Sequence, residues 1–279
     1  MVEKEIYEEI YLNKKQFSFG RNWQWFLAGL TEARVHNATG SLAEFLADVI
    51  NLKGKSLVDV GCGSGLSSLA ACRLGASRVV SFDADVYAVE CAKRLREKYG
   101  LVGAWSISWG SVLDRNFLSA LGTFDVVYSW GVLHHTGDMW RSFDNVISLL
   151  KPGGCLYLSI YNNNEKYRLE GTSEFWRRGK RLYNSAPGWG KRIMEIVYKL
   201  YIMVGLVAHG RNPVSYVRNY YRSRGMSFST DVRDWLGGYP YEFARPSQVV
   251  NFFAKRGFEC VKKKEARSLG CNEFVFKRL

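Results

Sequence analysis

The sequence predicts an α/β fold: an open, doubly wound sheet with helices on both faces. Three observations carry that expectation. Leu57-Val58-Asp59-Val60 is a short apolar strand that runs straight into the turn Gly61-Cys62-Gly63-Ser64-Gly65 and then into a helix from Leu66 to Leu74. Further short apolar strands alternate with helical patterns, as parallel strands joined by crossover helices do. The second of these strands ends in an acid, Asp83, about 20 residues beyond the glycines, where a nucleoside ribose can be held.

A chain of 279 residues, 47% apolar and 23% charged, holds one large domain or a domain with an elaboration. Its six cysteines (62, 72, 91, 155, 260, 271) form no C-x-x-C pair, which reads as reduced thiols in a cytoplasmic protein. Met1-Val2-Glu3-Lys4-Glu5 lacks the apolar run of a signal peptide. No run of about 18 uncharged apolar residues predicts a spanning helix. The net charge of +13 suits an anionic substrate, nucleic acid or a membrane surface, and equally a plain basic enzyme.

Residues 1–51 form an N-terminal cap. The aromatic stretch Ser18 to Phe26, with Phe19, Arg21 and Trp23, reads as a lid or as an anchor to the core. Ser41 and Glu44 make a capping box, and Leu42, Phe45, Leu46 and Val49 form a helical stripe behind it. A core over residues 52–161 follows. Its second strand, Arg78 to Asp83, leads through Asp85, a helix N-cap, into a helix from Val86 to Tyr99. The third strand spans Ala104 to Ser108, before Gly110-Ser111-Val112, and Asp114 caps the next short helix. The fourth spans Phe124 to Ser129 and meets Trp130-Gly131-Val132-Leu133-His134-His135. A helix from Met139 to Leu150 is closed by Lys151-Pro152-Gly153-Gly154, and Cys155 to Tyr161 is the fifth strand.

Residues 162–240 are a helical insertion, with patterns near Ser173–Tyr183, Lys191–Ala208 and Val214–Tyr221. They carry 14 Lys and Arg against 6 Asp and Glu, most of the chain's positive charge. Ile193 to Ala208 is apolar nearly all round, which favours burial against the core or a second subunit over membrane contact and makes a homodimer plausible. Residues 241–279 hold a helix from Arg245 and two strands, Phe258–Ala266 and Asn272–Lys277.

The glycine turn selects among nucleotide ligands. Leu66 stands where a dinucleotide fingerprint needs its third glycine, and no Gly-Lys-Ser/Thr makes a P-loop. Asp59 before the turn disfavours a phosphate and suits a cation. Asp59-x-Gly61-x-Gly63-x-Gly65 resembles motif I of the class I S-adenosylmethionine-dependent methyltransferases. The strand ending in Ser129, the Val-Leu-His-His stretch and the Leu-Lys-Pro-Gly-Gly turn resemble the same family, in the same order. Phe19-Gly20-Arg21-Asn22-Trp23 resembles a bacterial subgroup acting on small molecules.

The resemblance implies a Rossmann-like seven-stranded sheet with an antiparallel last strand closed by a terminal hairpin. It implies S-adenosylmethionine as cofactor. The backbone of Gly61, Cys62, Gly63 and Gly65 would face its methionyl part, with Asp59 near the ammonium end. Asp83 and Ala84 would take the ribose, and Ser129 closes the site at strand four. Ser111 and Val112 would meet the adenine, although the family often has an acid at the place of Ser111. His134 or His135 would act as base or orient the acceptor. Tyr161 and Asn162 would join Phe19, Arg21 and Trp23 around the substrate. No metal is expected, since adjacent histidines lack further ligands. The expected reaction is methyl transfer to oxygen or nitrogen of a small, possibly anionic acceptor. RNA methylation and a non-catalytic cofactor-binding role are the rivals.

Overall fold

Val58 and Val60 point to one face of the first strand and Leu57 and Asp59 to the other, and every residue of that strand is buried. Burial on both faces requires helices above and below, and the computed structural model has them. It describes residues 17–166, 170–224 and 227–279, with the side chains of 21, 25 and 221–224 outside the description.

The strands β1 (Ser56–Val60), β2 (Arg78–Asp83), β3 (Trp105–Trp109), β4 (Phe124–Trp130), β5 (Leu150–Tyr161), β6 (Phe258–Lys264) and β7 (Cys271–Arg278) form one sheet in the order β3-β2-β1-β4-β5-β7-β6. The first five run parallel, and β7 runs antiparallel to β5 and β6. This is the expected seven-stranded sheet. Its order reverses between β1 and β4, and in open α/β sheets the crevice outside such a switch point takes the ligand.

On one face, α1 (Gly20–Ala28), α2 (Glu32–Leu46), α3 (Leu66–Arg73) and α4 (Val86–Lys98) cover Leu57, Val79, Val126 and Val275. On the other, α5 (Arg115–Leu121), α6 (Met139–Ile147) and a helix at Pro246–Ala254 cover Val58, Val60, Phe82, Leu158 and Phe276. Between these lie α7 (Ser173–Ser185), α8 (Gly188–Ala208), α9 (Pro213–Arg224) and α10 (Phe228–Gly237), which share a core of Trp176, Tyr183, Phe228, Val232 and Tyr241. The Pro246–Ala254 helix is α11.

Several expectations need correcting. Ser41 and Glu44 sit inside α2, which starts after Thr31; the stripe is right, with Leu42 and Leu46 buried, but the cap is not. Lys151-Pro152-Gly153-Gly154 belongs to β5: Leu150 pairs with Phe124 and Cys155 with Val126, and the turn bulges between them. Helix α10, capped by Ser227, falls where no helix was read. Helix α8 is not enclosed by the other described residues. Its inner side packs through Met194, Tyr198 and Ile202, while Ile193, Ile196, Leu200 and Val204 are exposed.

Candidate active site

The turn after β1 needs its glycines for two reasons. Gly61, Gly63 and Gly65 all have positive φ, the region L side chains avoid. A Cβ at Gly65 would lie 2.7 Å from the Trp105 ring, and one at Gly63 would touch the Trp23 indole at 3.0 Å. The turn is therefore pressed between β3 below and α1 above. Asp59 does not open onto this surface. It is buried, accepts from Ser68 Oγ at 2.5 Å, and joins a chain through Ser81 to Trp105 Nε1. Burial pushes its carboxyl up to about 7.

Asp83 ends β2 beside the turn. Its Oδ2 accepts from Gly63 N at 2.9 Å and its Oδ1 from Asp85 N at 2.9 Å. Burial lifts the carboxyl to about 6 against the pull of those N–H groups. Asp85 caps α4 through Tyr87 N, as expected, and also accepts from Ser18 Oγ and Gly20 N at 2.8 Å each. One carboxylate thus holds the starts of two helices. Ala84 O accepts from Trp109 Nε1, and Ser111 Oγ accepts from Leu113 N, so Ser111 serves its own turn. Val112, Cys62 and Ser129 are buried, and Ser129 Oγ donates to Val60 O.

The other side of the crevice follows β4. His134 and His135 lie in a short 3-10 turn with ring centroids 4.5 Å apart. His134 Nδ1 accepts from Tyr161 N at 3.1 Å, which places the proton on Nε2, a buried donor with no partner among the described residues. His135 Nδ1 donates to Pro240 O at 2.6 Å, which leaves Nε2 as the acceptor. Burial lowers both, His135 to about 3, so both rings are neutral at physiological pH.

Aromatic rings gather around the pair. Tyr161 lies 3.9 Å from His134 and 4.8 Å from Tyr241, and Phe19 lies 5.0 Å from His135. Trp235 closes on Tyr161 from α10, and its Nε1 is another buried donor without a partner among the described residues. Lys180 of α7 reaches into this wall. It is fully buried, donates to Trp235 O, and lies 4.0 Å above the Trp235 ring. Burial lowers its ammonium to about 7, against a weaker pull from Asp234. Asn22 of α1 donates to Asp234, tying the N-terminal helix to the insertion.

The structure thus brings together Phe19, Trp23, Asp83, His134, His135, Tyr161 and the glycine turn. It turns Asn162 away, to Ser268 O and Asn272. The side chain of Arg21 lies outside the described residues. The sequence reading missed Lys180, Trp235 and Tyr241. Lys180 had a signal, a lysine in the buried Trp176–Tyr183 stripe of an amphipathic helix. Among the described residues no cluster of His, Cys, Asp or Glu has metal-ligand geometry.

A glycine turn and an acid flanking the switch point of a doubly wound sheet define a nucleoside-binding α/β protein. The chain belongs to the methyltransferase-domain family, whose model matches residues 33–198. That family uses S-adenosylmethionine. A ubiquinone biosynthesis O-methyltransferase of Coxiella burnetii is 32% identical over 44% of this chain and 50% of its own length. A ribosomal protein L11 methyltransferase of Helicobacter hepaticus is 41% identical over 44% of this chain and 34% of its own. The chain thus spans half or less of the length of these curated relatives. A magnesium protoporphyrin IX methyltransferase from Synechocystis, crystallised with S-adenosylhomocysteine, shares the fold at 15% identity, TM-score 0.52, covering 88% of this chain and 84% of that one.

Proposed function

We propose that this chain transfers a methyl group from S-adenosylmethionine to an oxygen or nitrogen atom of a small acceptor. The observation that carries the reading is the pairing of Asp83 with the backbone of the glycine turn at the switch point. The glycine turn carries no side chain of its own at 61 and 63, and Asp83 beside it offers a carboxylate to a ribose. The bound cofactor supplies a methyl group already activated on a sulfonium.

The chain's own residues align and shield. Trp23 and Phe19 cover the turn and His135, which excludes water. Alignment of this kind is worth roughly 7–11 kcal/mol in well-oriented model systems. His134 presents an N–H to the acceptor atom. His135 Nε2 presents a lone pair that can accept a hydrogen bond from the acceptor's O–H or N–H and so orient it, while burial that holds the ring near 3 keeps it from taking the proton outright. Both stay neutral, so neither repels a sulfonium. Enclosure by Tyr161, Trp235, Tyr241 and Lys180 supports a small acceptor, and Lys180 supports one with anionic character. The oxygen-methylating relative supports an oxygen acceptor. The basic insertion keeps RNA as the second reading.

Calorimetry with S-adenosylmethionine and S-adenosylhomocysteine tests the donor site, with Asp83→Ala as control. Binding that the substitution abolishes justifies a labelled-methyl screen of phenols, amines and RNA. A folded wild type that binds neither ligand ends the methyltransferase reading.

A further inference from the structure

Helix α8 carries a feature that the proposed reaction does not use. Ile193, Ile196, Val197, Leu200, Val204 and Val207 are each 53–68% exposed, and their spacing puts them on one face. Trp189 extends the row at the N-terminal end, and Val214 and Val217 of α9 are exposed as well. The two helices meet at 119°. A row of this size is larger than the scattered apolar residues of an ordinary soluble surface.

Charge decides what covers it. Glu195, the acid of α8, turns inward to Tyr183 Oη and Arg233. From residue 196 to residue 230 the sequence has no Asp or Glu and five Lys or Arg. Arg192 on α8, Arg211 between the helices and Arg218 on α9 are exposed. A two-fold contact between copies would set this patch against itself and bring like charges together, with no acid from this stretch to meet them. A surface that is apolar below and anionic above complements it.

We propose that α8 and α9 form an amphipathic platform that lies in the interface of an anionic lipid bilayer, with the apolar row among the acyl chains and the arginines at the headgroups. No single described helix is long and apolar enough to cross a membrane; α8 and α9 reach that length and apolarity only as a pair, and the 119° bend between them suits a platform lying in the interface. The inner side of the same helix packs against the Trp176 and Tyr241 core, which places the bilayer on the far side of the insertion from the histidine pair.

Co-sedimentation of the full chain with phosphatidylcholine vesicles, with and without phosphatidylglycerol, tests the proposal. The wild type should bind the phosphatidylglycerol vesicles and be released by molar salt. Leu200→Asp with Val204→Asp should lower partitioning at least about tenfold. Arg211→Gln with Arg218→Gln should lower it by about tenfold or more on anionic vesicles. All four side chains are exposed, so circular dichroism and the unfolding midpoint should not move. A wild type that stays in the supernatant overturns the proposal. So does a dimer in sedimentation equilibrium that Leu200→Asp splits, which would assign the face to a second copy.

Discussion

The two halves of the crevice are built in different ways. The half beyond β1 and β2 is made of backbone and one carboxylate, drawn from residues 59–85. The half beyond β4 and β5 is made of side chains from six separate places: Phe19, the histidine pair, Tyr161, Lys180, Trp235 and Tyr241. A contiguous backbone cradle depends on a few glycines. A wall assembled from distant elements can change one side chain at a time. The first half suits a constant ligand and the second a variable one.

Substitution at the turn tests the contrast most severely. Gly65→Val forces a side chain into positive φ against Trp105, at a cost of about 3 kcal/mol or more. Urea unfolding should show that loss, and calorimetry should show no donor binding. Next comes Asp83→Asn, which should weaken S-adenosylmethionine binding about tenfold to a hundredfold while leaving the His134 side intact. Wild-type affinity should itself fall as pH drops through about 6, where the Asp83 carboxylate gains its proton, and the Asn variant should lose that dependence.

On the acceptor half, Lys180→Met should raise the acceptor KM by about tenfold with donor affinity unchanged, the loss of one charged hydrogen-bond partner. A second readout is independent of the acceptor. The folded pKa of Lys180 is depressed from 10.5 to about 7, so between those values the unfolded chain holds a proton that the native chain lacks. Wild-type stability should therefore rise with pH across that window, with His134, His135 and Asp234 as neighbours, and the Met variant should lose Lys180's share of the rise. The smallest effect belongs to Asn162→Ala. It removes bonds to Ser268 O and Asn272, costs about 1–2 kcal/mol of stability, and should leave both ligand affinities within about twofold.

The same division explains what could be read from the sequence. The strand, glycine turn and acid of the half proposed to take the donor were legible because their demands are local: a strand, a turn that needs glycine, and an acid at the next strand end. Asp85 and Asp114 were legible as caps because the capping bond of each goes to an N–H two or three residues further on in its own helix. The acceptor wall was not, since nothing near Trp235 or Tyr241 in the chain announces that they meet Tyr161. Helix α10 was missed although Ser227 and the Phe228, Val232 and Leu236 spacing mark it. The start of α2 was misplaced because a good capping pair can also sit within a helix that begins earlier.

Asp85 accepts from Gly20 N and Ser18 Oγ of the N-terminal segment and from Tyr87 N, two residues from the acid proposed to hold the ribose. The covering helix and the floor of the donor site therefore share a latch. On the proposed reading, exchange of spent cofactor for fresh requires that latch to part. Turnover would then depend on how readily Asp85 and Asp234 together let go of that helix, and the dwell time of the demethylated product would report on the protein as well as on the product.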